Sequence, residues 1–113
     1  MITLYHNPRC SKSRQGLAIV EESGKKFEVV KYLDEPLSEA KLSEIIALLA
    51  ISPSDLVRKN EAVWKENYKG KTLTDTQIIK AMVKYPKLIE RPIVVNGKKA
   101  VVGRPPETIR NIL

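Results

Sequence analysis

Tyr5-His6-Asn7-Pro8-Arg9-Cys10-Ser11-Lys12-Ser13-Arg14 holds the only cysteine and the only histidine of the 113-residue chain. Ile2-Thr3-Leu4-Tyr5 precedes it with the alternation of a β-strand, and a helical pattern follows it. Asn7 and Pro8 are turn residues, and Pro8 bars an earlier helix start. A thiol at such a strand-to-helix turn faces unpaired N–H groups and the positive end of the helix dipole. That setting favours the thiolate and can lower a cysteine pKa to roughly 3.5–7.5. Arg9, Lys12 and Arg14 add positive charge nearby. Cys10 therefore reads as a nucleophile, and the loop around it, including Asn7 and Arg14, as an anion cradle. A buried structural cysteine is the plainer reading, but the basic, helix-opening context fits it less well.

Outward from that stretch, the composition suits one folded domain with one core. Apolar residues make up 42% of the chain, and no apolar run approaches the roughly 20 residues that span a bilayer. A strand-like run begins at once, so no signal peptide is expected. A single cysteine cannot close an internal disulfide. The expected location is therefore the cytoplasm, a reducing compartment, with no membrane association. The net charge of +7 raises nucleic-acid binding, but the basic residues are scattered and only five aromatics accompany Trp64. No nucleic-acid partner is expected. Attraction of a small anionic substrate is the more economical use of the charge.

In chain order, the helix after Cys10 places Cys10, Ser13, Leu17 and Val20 on one side, and Gly24 suits its C′ position. Phe27 to Tyr32 reads as a second strand, which makes a right-handed parallel crossover with the first. Helical signals follow. Ser38 is a cap, with Leu37 and Leu42 as a hydrophobic staple and Leu42, Ile45, Ile46 and Leu49 as the stripe. Ser52-Pro53 starts a short helix that carries Leu56, Val57 and Arg58. Residues 59–72 read as a loop or broken helix anchored by Trp64 and Tyr68. Thr74 to Gln77 forms a capping box for a helix that ends near Tyr85-Pro86. Pro92 to Val95 and Lys99 to Val102 flank Asn96-Gly97, a hairpin signal in which both turn positions take positive φ. Pro105-Pro106-Glu107 opens a final helix. The expectation is an α/β fold with a mixed four-stranded sheet, ordered β-α-β, helical insertion, β-β-α. It forms a single domain over 1–113 with the insertion at about 36–88.

Spacing limits the cysteine chemistry. A dithiol oxidoreductase needs Cys-x-x-Cys, but Ser13 holds the second place. A phosphatase-type loop needs an arginine six positions on, but residue 16 is Gly. His6 lacks an evident acidic partner for a Cys-His hydrolase, and one cysteine with one histidine makes zinc implausible. A monothiol site for an oxyanion or a glutathione disulfide remains. Arg58, Arg91 and Arg104 are the candidate fixed cations, since a guanidinium can hydrogen-bond two oxygens of one oxyanion. Arg91 and Arg104 both sit at element ends, where binding residues are common.

The blocks His6 to Arg14, Leu56-Val57-Arg58-Lys59-Asn60, Glu90-Arg91-Pro92-Ile93-Val94-Val95 and Gly103-Arg104-Pro105-Pro106-Glu107 resemble the glutaredoxin-coupled arsenate reductase family. They occur in the right order over nearly the whole chain. The resemblance implies a thioredoxin-like fold with a helical insertion and a cis peptide at Arg91-Pro92. It implies that Cys10 attacks arsenate, that His6 and Ser13 help keep Cys10 ionised, and that Arg58, Arg91 and Arg104 hold the oxyanion and its adduct. Ser11-Lys12 stands where better-characterised members carry Gly-Thr, and Gly103 where a cysteine is common. The Cys-Ser-Lys-Ser and Gly-Arg-Pro-Pro-Glu forms look closest to one subgroup.

The implied activity is reduction of arsenate, with glutathione as co-substrate, glutaredoxin as partner and no bound cofactor or metal. With no resolving thiol in the chain, the mixed disulfide must be cleared externally. Two other readings stay open: a monothiol glutathione-dependent disulfide oxidoreductase, and a non-enzymatic redox-sensing regulator that engages a partner protein.

Overall fold

The computed structural model describes residues 1–113, which form two compact units, Met1–Glu35 with Arg91–Leu113, and Pro36–Glu90. The first unit holds β1 (Ile2–Tyr5), α1 (Ser11–Glu22), β2 (Phe27–Val30), β3 (Ile93–Asn96), β4 (Lys99–Val102) and a 3-10 helix at Pro106–Ile112. The strand order is β2-β1-β3-β4. β1 runs parallel to β2, with Tyr5 opposite Val30, and antiparallel to β3, with Tyr5 opposite Ile93. β3 and β4 are antiparallel. This mixed four-stranded sheet is the thioredoxin-like arrangement that the motifs imply.

The apolar residues explain why these strands and α1 assemble. Ile2, Leu4, Ile19, Val20, Val94 and Ile109 form one buried cluster, with Leu17 and Phe27 partly buried against it. Complete burial of a Leu, Ile or Val side chain contributes roughly 1.5–3 kcal/mol. The buried face of α1 comprises Ser13, Gly16, Ile19 and Val20, so Leu17 lies at the edge of the stripe expected for it. Gly24 does take the left-handed conformation that ends the helix, with φ +71°. The second strand stops at Val30 rather than Tyr32, because the chain turns there and buries the Tyr32 ring.

The hairpin differs from its sequence reading. Asn96 pairs with Lys99, so Gly97 and Lys98 are the central turn residues. Of the non-glycine residues only Ala50 has positive φ, so Gly97 (φ +63°) meets the conformational demand alone. One glycine at the first central position is the type II′ pattern, not the double-positive type I′. Asn96 has another use: its Nδ2 donates to the Ile112 carbonyl at 2.6 Å, which ties the strand to the last helix. That last helix is 3-10 rather than α.

The second unit is helical, with α2 (Glu39–Leu49), α3 (Pro53–Leu56), α4 (Ala62–Asn67), α5 (Asp75–Lys84) and a 3-10 turn at Pro86–Leu88. Ser38 caps α2 by accepting from the Lys41 N–H, and Thr74 and Gln77 close the capping box of α5. Leu42, Ile45 and Ile46 of α2 and Ile78, Ala81 and Met82 of α5 are buried, and the two helices pack on each other. α3 ends at Leu56, earlier than its apolar run suggests. Val57 is extended and bridges Ile89. The Arg58 N–H donates to Leu88 O at 2.7 Å, and the Glu90 N–H to Leu56 O at 2.9 Å. That backbone pairing competes successfully with another helical turn. Residues 59–72 contain α4, and Trp64 within it stacks on Tyr68 at its end, with ring centroids 5.3 Å apart. No helix is long and apolar enough to cross a membrane.

Candidate active site

Cys10 is the N-cap of α1, as the motif requires, in extended backbone at φ −98° and ψ 125°. The loop before it is self-braced. The Cys10 N–H donates to Asn7 O at 3.0 Å, and the Arg9 N–H to Asn7 Oδ1 at 3.1 Å. Arg14 Nη1 donates to Pro8 O at 3.0 Å. Asn7 and Arg14 thus shape the loop, Asn7 through its two oxygens and Arg14 through one guanidinium nitrogen.

Ser13 is fully buried and sits under the loop. Its Oγ accepts from the Asn7 N–H at 3.0 Å and lies 2.7 Å from His6 Nδ1. With one lone pair occupied, the hydroxyl can donate its proton to an unprotonated Nδ1. Burial lowers the His6 pKa, and the charges of Lys31 and Arg14 lower it further, against a smaller opposing effect of Ser13. His6 is therefore neutral at pH 7 and fixes Ser13 and the loop. It is not one of the positive charges beside Cys10.

Burial pushes the Cys10 thiol up. The Ser13 N–H, the hydrogen bonding and charge of the Arg91 guanidinium, and the Lys12 N–H pull it down, and the net result is a lowered pKa. No cap hydrogen bond closes on the sulfur, so the two N–H groups act as the directed dipoles of a helix start. The side-chain cation that acts on the thiol is thus Arg91, from the far end of the chain, rather than the sequence neighbours Arg9 and Arg14. The rate of Cys10 alkylation should rise with pH around a midpoint below the free-thiol value of about 8.5. A midpoint at or above that value would refute the activated thiolate.

Arg91 precedes Pro92, and the peptide between them is cis, as is Arg104-Pro105. Arg104 Nη1 donates to the Arg91 carbonyl at 3.2 Å, so this second arginine braces the first. The Gly103 N–H donates to Pro92 O at 2.8 Å. Arg58 lies in the other unit. Its Nη1 contacts Glu90 Oε1 at 2.8 Å and its Nε contacts Glu61 Oε1 at 3.5 Å. Burial opposes its charge, but the Glu90 and Glu61 carboxylates outweigh that and raise its pKa.

The role of Lys31 and the packing roles of Gly16 and Gly103 escaped sequence reading. Lys31 follows β2, and the His6 N–H donates to Val30 O at 2.9 Å, so strand pairing brings the two residues together. Gly16 and Gly103 both back onto Pro92 and Ile109. A Cβ at either position would lie 2.8 Å from Pro92 Cγ. Neither has a positive φ to mark it. Beside the loop, His6, Asn7, Pro8, Arg9, Lys31, Leu33 and Asp34 line a cavity of about 220 Å³.

Known proteins resemble this chain in sequence and backbone. The family model described as the ArsC family matches residues 5–112. The uncharacterized protein YfgD of Escherichia coli (strain K12) is 45% identical, with 99% of this chain and 96% of that protein covered. The arsenate reductase of Neisseria meningitidis serogroup A is 41% identical, covering 99% of this chain and 97% of its own. The structure of the arsenate reductase from Vibrio cholerae superposes with a TM-score of 0.95 at 41% identity, covering 99% of this chain and 97% of its own. A Yersinia pestis structure gives 0.93 at 47% identity, covering 99% and 100%. A lone thiol at a helix start, an arginine before a cis-proline set against it, and near full-length similarity of sequence and backbone place this chain in the ArsC family.

Proposed function

We propose that the protein reduces arsenate to arsenite through a Cys10 thiolate adduct, with glutathione and glutaredoxin as reductants. The observation that carries this reading is the pairing of Cys10 with Arg91, a thiol with a depressed pKa beside a guanidinium that can grip an oxyanion. The Cys10 sulfur attacks arsenic and displaces one oxygen, which leaves as water after protonation. Positive charge reduces the repulsion between two anions and stabilises the charge that develops. Glutathione thiolate then attacks the Cys10 sulfur, and the S–As bonding pair passes to arsenic. Arsenic(V) becomes arsenite, while the two thiols become a Cys10–glutathione disulfide. With one cysteine in the chain, an external thiol must clear that disulfide, which suits glutaredoxin. His6 and Ser13 keep the loop in the form that favours the thiolate, and Asn7 and Arg14 maintain its shape.

Arg91 and Arg104 are assigned to the oxyanion and its adduct. Arg58 is assigned the same role, with Glu61 and Glu90 orienting its guanidinium. The cavity bordered by Arg9 and Lys31 offers cations to the carboxylates of glutathione. A monothiol disulfide-exchange activity is the second reading, favoured by the single cysteine in a Cys-x-x-Ser spacing. Purified protein with arsenate, glutathione, glutaredoxin and an NADPH-linked reductase should consume NADPH, and Cys10→Ser should abolish it. Turnover of a glutathione mixed disulfide without any on arsenate would select the second reading.

A further inference from the structure

A second cavity lies wholly within the helical unit. Ser54 of α3, Lys59, Trp64 of α4, Tyr68, Lys69, Gly70, Lys71, and Leu73, Asp75 and Ile78 at the start of α5 line a space of about 420 Å³. That volume falls in the range of roughly 300–1,000 Å³ typical of small-molecule sites. Nothing in the thiol chemistry uses it.

Its lining has two parts. The floor is aromatic and apolar: Trp64 and Ile78 are buried, and Tyr68 stacks on Trp64 and meets Tyr85 edge-on at 6.3 Å. These ring contacts hold Tyr68 in place, which lowers the entropy cost of using it as a stacking surface. The rim is cationic. Lys59, Lys69 and Lys71 are exposed, and Asp75 is the one carboxylate among the lining residues. Lys59 Nζ donates to Ser54 Oγ at 2.7 Å, which steadies one ammonium at the edge. Gly70, at φ +80°, turns the chain between Lys69 and Lys71. An aromatic floor beneath three amines suits a ring that carries an anion. A bare oxyanion would leave the floor unused, and a neutral ring would leave the amines unused.

We propose that this cavity binds a small aromatic anion of the nucleoside monophosphate class, its base against Tyr68 and its phosphate among Lys59, Lys69 and Lys71. Asp75 is placed to accept from a ribose hydroxyl or an exocyclic amine. Trp64 is the only tryptophan and lies in the wall, so its fluorescence reports occupancy directly. The full-length protein would be titrated with adenosine monophosphate, adenosine, inorganic phosphate and an acidic peptide, with calorimetry as a second readout. A saturable response to the monophosphate is expected, weaker by about tenfold or more with adenosine or phosphate alone. Added salt should weaken it further, because the amines are exposed. The double variant Lys69→Gln/Lys71→Gln should raise the Kd about tenfold or more while the alkylation profile of Cys10 stays unchanged. Loss of arsenate turnover is not an outcome of this test, so it stands apart from the reading of the thiol site. The proposal is overturned by no response from either readout at millimolar monophosphate. Phosphate that binds as well as the nucleotide, tighter binding of the acidic peptide, or a Kd indifferent to both lysines would overturn it equally.

Discussion

Arg91→Ala should lower the efficiency of arsenate turnover about ten- to a hundredfold, since a charge-assisted hydrogen bond is worth roughly 1.5–3 kcal/mol. The same substitution should raise the pH midpoint of Cys10 alkylation, because Arg91 is the side chain that lowers the thiol pKa. Both effects share one cause, a guanidinium held against the sulfur. Arg91→Lys keeps the charge but loses the planar fork. It should restore much of the alkylation midpoint and little of the turnover. Arg104→Ala should act more weakly on the midpoint, because Arg104 reaches the Arg91 carbonyl and is not among the causes of the Cys10 shift. Each variant would be followed by coupled NADPH consumption, by alkylation across pH and by melting temperature. Full turnover in Arg91→Ala would remove Arg91 from the oxyanion site. An unmoved midpoint would remove it from the thiolate.

Gly103→Ala is expected to destabilise the protein by about 1–3 kcal/mol, the usual cost of overpacking a filled core. The added Cβ would stand 2.8 Å from both Ile109 Cδ1 and Pro92 Cγ. Ile109 is fully buried and the proline ring cannot rotate away. Melting temperature should fall by several degrees or more. Gly16→Ala meets the same two side chains, at 2.8 Å and 3.0 Å. Its loss should be smaller, since alanine gains about 1 kcal/mol over glycine inside a helix. Ile109→Val removes the Cδ1 atom that both substitutions meet. Combined with Gly103→Ala, it should cost clearly less than the sum of the two single changes. Strict additivity would mean that crowding is not the mechanism. Because Pro92 follows Arg91, Gly103→Ala should also disturb the thiol site.

Local patterns in the chain determined the parts of this protein whose causes are themselves local. Alternation in Ile2 to Tyr5, the Ser38, Ser52 and Thr74 caps, the proline at 53 and the glycine at 24 each act within a few residues, and each element starts or stops where they direct. The lone Cys10 at a helix start was legible for the same reason. Ordered blocks from His6 to Glu107 then carried the family and the sheet topology. Tertiary structure decided what depends on register and approach. Only the parallel pairing of β1 with β2 brings Lys31 to His6, where its charge adds to burial in lowering the imidazole pKa. Only the fold selects Arg91, some eighty residues away, over Arg9 and Arg14 as the cation on the thiol. Ion pairs with Glu61 and Glu90 give Arg58 a commitment that its sequence block does not reveal. The short backbone pairing of 56–58 with 88–90 ended α3, and the strand register moved the hairpin turn one residue on to Gly97-Lys98. Most of these deciding partners are distant along the chain, and their contribution exists only once the backbone has closed around them.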